Sequence, residues 1–129
     1  AVIVTTPQEV SVADARKALN MFSKVNVPIL GVVENMSYFI APDTGVKYDI
    51  FGSNGGKSLA EENKTAFLGG IPIDQRLRIG SDTGVPVIYD NPTSEHAEII
   101  FNISRKLAAE VSKINANQSN QSDIEIEID

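Results

Sequence analysis

Apolar residues along this chain fall into two rhythms. Unbroken aliphatic or β-branched runs occur at Val2–Thr5, 29–33 and 66–71. Each is too short for a helix and does not alternate, the pattern of a parallel strand covered on both faces. Elsewhere the spacing is three and four. Val12, Ala15, Leu19 and Phe22 predict an amphipathic helix running to about Lys24. Ile100, Ile103, Leu107, Val111 and Ile114 predict a last helix, started by Thr93 or Ser94, whose stripe docks on the sheet. Ahead of the first helix, Thr6-Pro7-Gln8-Glu9 reads as a capping box with proline at the first helical position. Strand, helix and strand by residue 34 make a βαβ unit. Such units predict an α/β fold with a mainly parallel sheet, helices on both faces and ligands beyond the carboxyl ends of the strands.

Residues 36–51 break the rhythm. Apolar arms flank Ala41-Pro42-Asp43-Thr44-Gly45, which predicts a β-hairpin excursion near residues 38–51. A short helix is expected over 55–63. Asp74 is expected to cap a helical turn through Ile79, and residues 85–89 to be extended. From Ala116 the composition turns to Asn, Gln and Ser and ends Asp-Ile-Glu-Ile-Glu-Ile-Asp. So polar a tract has little apolar surface to offset its ordering entropy. The expected organisation is one domain over 1–115 and a flexible acidic tail over 116–129, in which Ile124, Ile126 and Ile128 could add as an edge strand.

The length of 129 residues suits one such domain. No apolar stretch reaches the roughly 20 residues of a membrane span. The absence of cysteine excludes both a disulfide framework and a thiolate metal site built from this chain. The net charge is −6, but Asp123, Glu125, Glu127 and Asp129 carry four negative charges, leaving −2 for the rest. Nothing basic enough for nucleic acid is present. The opening Ala-Val-Ile-Val has the look of a buried strand rather than of a nascent start or a signal peptide.

The chemistry-bearing residues are few. Gly52-Ser53-Asn54-Gly55-Gly56-Lys57-Ser58 imitates a phosphate-cradling loop, but three residues, not four, separate Gly52 from Gly56, so it reads as a glycine-rich helix entry. Asn35 stands just past the strand ending at Glu34, where a side-chain amide can pair with an adenine edge or satisfy a turn. Ile71-Pro72-Ile73-Asp74 ends the next strand. Pro72 and Ile73 could wall a base there, and Asp74 caps the following helix. His96 has no role evident in the sequence. Glu34, Asp49, Asp82 and Asp90 read as solvated surface carboxylates. No Ser/His/Asp or Cys/His constellation exists.

Gly31-Val32-Val33-Glu34-Asn35-Met36-Ser37-Tyr38-Phe39, Asp49-Ile50-Phe51-Gly52 and Phe67-Leu68-Gly69-Gly70-Ile71-Pro72-Ile73-Asp74 stand in consecutive order. With Val4-Thr5-Thr6-Pro7-Gln8-Glu9-Val10, they resemble the Mrp-type (ApbC-like) P-loop ATPases, the iron-sulfur carrier branch of the MinD/ParA group, over about residues 2–112. The resemblance implies the C-terminal half of such an ATPase, with the Walker A half missing. It also implies a cytoplasmic protein that forms a homodimer around ATP and Mg when full length. Its hydrolase cycle would serve assembly or transfer of a 4Fe-4S cluster to apoprotein clients, with neither nucleic acid nor membrane as partner. Asn35 falls on the family's adenine-contacting position, and Pro72, Ile73 and Asp74 on the segment that lines the base. No catalytic or metal-ligating residue is carried over. The family's Cys-Pro-x-Cys slot reads Ala41-Pro42-Asp43-Thr44, and that departure sustains an alternative, an ATP-switched scaffold or positioning protein of the MinD/ParA sort without a cluster.

Overall fold

The computed structural model describes the backbone of residues 1–126 and the side chains of residues 1–121. Three strands, β1 (Val2–Thr5), β2 (Gly31–Glu34) and β5 (Phe67–Gly70), form a parallel sheet in the order β1-β2-β5. α1 (Glu9–Lys24) crosses from β1 to β2, and α2 (Gly55–Glu62) precedes β5. The excursion after β2 is a hairpin of β3 (Phe39–Ile40) and β4 (Lys47–Tyr48), paired antiparallel. α3 (Gln75–Thr83), α4 (Val87–Asp90) and α5 (Glu95–Ile126) complete the described chain.

Register assigns the faces. Ile3 and Val32 are partners and join Val12, Ala15, Leu19, Leu59 and Ala60 in one buried cluster, so α1 and α2 cover that face. Val33 partners Gly69 and points the other way. α5 covers this second face where Ile103 passes over Gly69, so closely that a β-carbon there would stand 2.9 Å from Ile103 Cγ1. Gly69 also sits at φ +148° beside a register shift in the β2–β5 pairing. The small residue lets a bulged strand accept a helix at short range.

Several local expectations are corrected. The capping box does not form: the helix begins after Gln8 without a side-chain cap, and the Thr6 hydroxyl bonds to Gln8 Oε1 and Ser11 Oγ instead. α3 runs four residues past Ile79, to Thr83. Of residues 85–89, expected to be extended, 87–89 lie in the helical turn α4, which ends at Asp90. There the Pro86 carbonyl accepts from the Tyr89 and Asp90 amides, and Val87 is buried. Tertiary burial of Val87 overrides the β-preference of Val85 to Tyr89. The tract from Ala116 is helical as far as Ile126, because α5, once docked, propagates by one hydrogen bond per residue without renucleation. The edge strand is therefore not formed at 124–126, and its last positions lie outside the described residues. Among those described, no helix is long and apolar enough to cross a membrane.

Candidate functional site at the carboxyl edge of the sheet

Beyond the ends of β2 and β5 the two segments stay in register. Asn35 N donates to the Thr5 carbonyl at 2.7 Å, Ile71 N to Glu34 O at 2.8 Å, Ser37 N to Ile71 O at 2.9 Å and Ile73 N to Tyr38 O at 2.7 Å. This ladder sets Asn35 against the segment from Ile71 to Asp74. Asn35, Pro72, Ile73 and Asp74 line one cavity of about 430 Å³, together with Met36 and Leu77. Asn35 also lines a neighbouring cavity of about 510 Å³ walled by Ile71, Pro86, Val87 and Ile100. The four site residues expected from the sequence thus converge, and a wall of Met36, Pro72, Ile73 and Leu77 with polar groups from Asn35, Asp74, Arg78 and Ser81 suits a planar, partly polar ligand.

Two of them arrive with obligations. Asn35 Oδ1 accepts from the Met36 amide at 2.9 Å, which orients the side chain and leaves its Nδ2 as a donor without a partner among the described residues. Asp74 caps α3 by accepting from Arg76 N at 2.7 Å, and its carboxylate also accepts from Arg76 Nε at 3.0 Å and Nη2 at 2.9 Å. The Arg76 hydrogen bonds hold the Asp74 carboxyl below its ordinary range. Burial opposes them, while the Arg76 backbone amide and the His96 and Arg76 charges reinforce them. A carboxylate engaged in this way shapes the wall of the cavity rather than offering free valence to a ligand.

The sequence reading missed two polar residues. His96 is buried with Nε2 3.1 Å from Asp74 Oδ2 and Nδ1 3.3 Å from Arg76 Nη2, so it ties the start of α5 to the cap of α3. Glu34 is not a surface carboxylate. It is 3% exposed and accepts from Gly56 N and from Ser37 Oγ, each at 2.6 Å. A charge closing an otherwise apolar strand was the available signal, since a buried carboxylate requires donors. Asp49 and Asp82 do stay at the surface, paired with Lys47 and Arg78. Tyr38, at the root of the hairpin, has its phenol pKa raised by burial and by the charge of Glu95.

The Glu34–Gly56 bond also disposes of the pseudo-P-loop. The first turn of α2, where a bound phosphate would sit, is satisfied by an internal carboxylate at 2.6 Å. At the hairpin tip, Ala41 N donates to Val46 O and Gly45 N to Ala41 O, while Thr44 Oγ1 accepts from Val46 N. The turn is built, but Ala41 and Thr44 carry no sulfur, and no group of potential metal ligands occurs among the described residues. The tip does not fit an iron-sulfur cluster.

Residues 1–108 match a family model described as ParA, a NUBPL iron-transfer P-loop NTPase. Curated relatives include an iron-sulfur cluster carrier protein of Deinococcus radiodurans, 51% identical over 87% of this chain and 31% of its own length. The carrier protein of Pyrococcus abyssi is 45% identical over 94% of this chain and 41% of its own. The iron-sulfur cluster transfer protein NUBPL of Dictyostelium discoideum is 43% identical over 92% and 37%. The chain thus spans about a third of the length of these relatives. Among solved structures, a nucleotide-binding protein in complex with ADP from Archaeoglobus fulgidus superposes with a TM-score of 0.57 at 42% identity, over 66% of this chain and 35% of that one. The cell division ATPase MinD of Pyrococcus furiosus superposes at 0.62 and 25% identity, over 88% and 42%.

Proposed function

Since the chain belongs to the ParA family of NUBPL-type iron-transfer P-loop NTPases, we propose that it forms the base-side wall of the ATP site in an iron-sulfur cluster carrier. The observation that carries this reading is the meeting of Asn35 with Pro72, Ile73 and Asp74 in one cavity at the carboxyl edge of the parallel sheet. Pro72 and Ile73 would flank the adenine ring, and Asn35 Nδ2 would donate to a ring nitrogen. The second lone pair of Oδ1 stays available for the exocyclic amine.

Phosphate binding is a separate matter. These residues contain no G-x-x-x-x-G-K-[ST] pattern, and the one look-alike is closed by Glu34. Phosphate affinity, Mg and hydrolysis therefore belong to the family's Walker A segment in a full-length, homodimeric, cytoplasmic protein that delivers a cluster, as cargo, to apoprotein clients. Residues 1–129 alone are expected to hydrolyse no ATP and to bind it more weakly than micromolar, because charge-assisted contacts to phosphate are missing. Isothermal titration tests this, and micromolar ATP binding by the isolated chain would overturn it. In the full-length protein, N35A is expected to lower ATP affinity about 10-fold by loss of the amide's hydrogen bonds.

A second reading, an ATP-switched scaffold that carries no cluster, is favoured by one observation: Ala41 and Thr44 stand where the carrier reading needs thiolates. Anaerobic cluster reconstitution on the full-length protein, read as iron per polypeptide, separates the two.

A further inference from the structure

Met36 has a backbone that its side chain does not favour. Its φ is +51°, in the left-handed region where glycine and asparagine are at ease and a long L-side chain is not. The conformation is over-determined by its neighbours. Asn35 N is tied to Thr5 O on one side, Ser37 N to Ile71 O on the other, and the Met36 amide to Asn35 Oδ1 between them. A glycine would satisfy all three bonds without strain. The chain instead holds a methionine there, 44% exposed, on the wall of the cavity shared with Asn35, Pro72 and Ile73. Strain kept on a cavity wall, together with an apolar side chain left half in water, marks a preorganised contact surface. A thioether is flexible and polarisable, and packs well against a heteroaromatic face.

We infer that Met36 is a base-recognition residue: its side chain closes over the exposed face of a purine whose other face lies on Pro72 and Ile73, while Asn35 reads the ring edge. This rests on the base-side reading of the cavity and adds to it a residue and a reason for the turn's backbone. The left-handed turn does two jobs in one step. It brings the Met36 amide to Asn35 Oδ1, so the recognition amide is oriented before ligand arrives, and it turns the following side chain over the cavity.

The chain's own composition supplies the test, because Met21 and Met36 are its two methionines. Met21 lies on α1, 54% exposed and away from the cavity, and serves as the internal reference. Residues 1–129 labelled with 13C at the methionine methyls are titrated with adenosine, which needs no phosphate site. The expected result is a saturable upfield ring-current shift of the Met36 methyl, none at Met21, and a parallel response of the Asn35 side-chain amide. M36L should bind adenosine within about twofold of wild type, and M36G about fivefold more weakly, the loss of one partly buried apolar side chain. M36G should melt no lower than wild type, because glycine relieves the left-handed backbone. If the Asn35 amide responds and the Met36 methyl does not, or if M36G binds as well as wild type, the role of Met36 is refuted and the base-side reading stands. If neither signal responds, both fall together.

Discussion

Removing the Glu34 carboxylate should cost this fold more than any other single polar change, and E34A is the perturbation to make. The wild-type carboxylate is 3% exposed and receives two short donors, Gly56 N and Ser37 Oγ. Their fates differ in the variant. Ser37 also lines a polar cavity of about 340 Å³ between the hairpin and α2, so water can replace the lost acceptor. Gly56 is buried beneath Glu34, so close that a β-carbon on it would stand 3.0 Å from Glu34 Cβ, and its amide is left without a partner. An orphaned buried donor costs about 1–3 kcal/mol, and the emptied side-chain volume adds to it. The expected loss is about 2–4 kcal/mol, which for a domain of this size lowers the melting temperature by roughly 8–15 °C. E34Q should lose only about 1 kcal/mol, because its amide oxygen still accepts from Gly56 and its NH2 can donate to Ser37 Oγ. Urea denaturation followed by circular dichroism gives the difference, and hydrogen exchange at the Gly56 amide locates it. If E34A unfolds within about 0.5 kcal/mol of wild type with the Gly56 amide still protected, the carboxylate is not what anchors α2.

G69A should destabilise the chain by about 1–3 kcal/mol, since its β-carbon would meet Ile103 at 2.9 Å on a backbone at φ +148°; a melting temperature equal to wild type would show that α5 docks less tightly than the structure has it. D74N addresses acid stability. The Asp74 carboxyl is held below its ordinary range, so its ionised contacts contribute fully above about pH 4 and are lost as pH falls through the lowered value. The urea midpoint of D74N should therefore lie below that of wild type at pH 7 and the gap should close as pH falls through the lowered value, and a gap independent of pH would refute the linkage.

The hairpin shows where sequence reasoning succeeded. Its turn chemistry is local, and a Pro-Asp-Thr-Gly tip between apolar arms specifies a reversal wherever the chain carries it. The same holds for the three strand runs and for the stripe on α1, because periodicity is a property of the chain itself, whereas the stripe on α5 is covered at Ile103 over Gly69 and left 39% exposed at Val111. Asp74 was legible as a cap for the same reason: the residues it serves are its own neighbours in sequence.

What the sequence could not reveal depends on contacts between distant segments. Glu34 looked like a surface acid until Gly56, 22 positions away, was brought under it. His96 had no partner until α5 was laid beside the cap of α3. The reading of 85–89 as extended failed from Val87 onward because burial of that residue outweighed local β-preference, and the helix of the polar tract as far as Ile126 was not legible because it continues a docked helix at little cost. The candidate base site divides along the same line. Asn35 and the segment from Pro72 to Asp74 were singled out from strand ends and family resemblance, and only the pairing past β2 and β5 placed them around one cavity. The backbone of Met36 was invisible to any pattern. Its left-handed turn is imposed by three hydrogen bonds to Thr5, Ile71 and Asn35, two of which cross between strands. Periodicity and turn chemistry determine which elements form, whereas burial of charge and the strain at a site are decided by what the folded chain sets beside them.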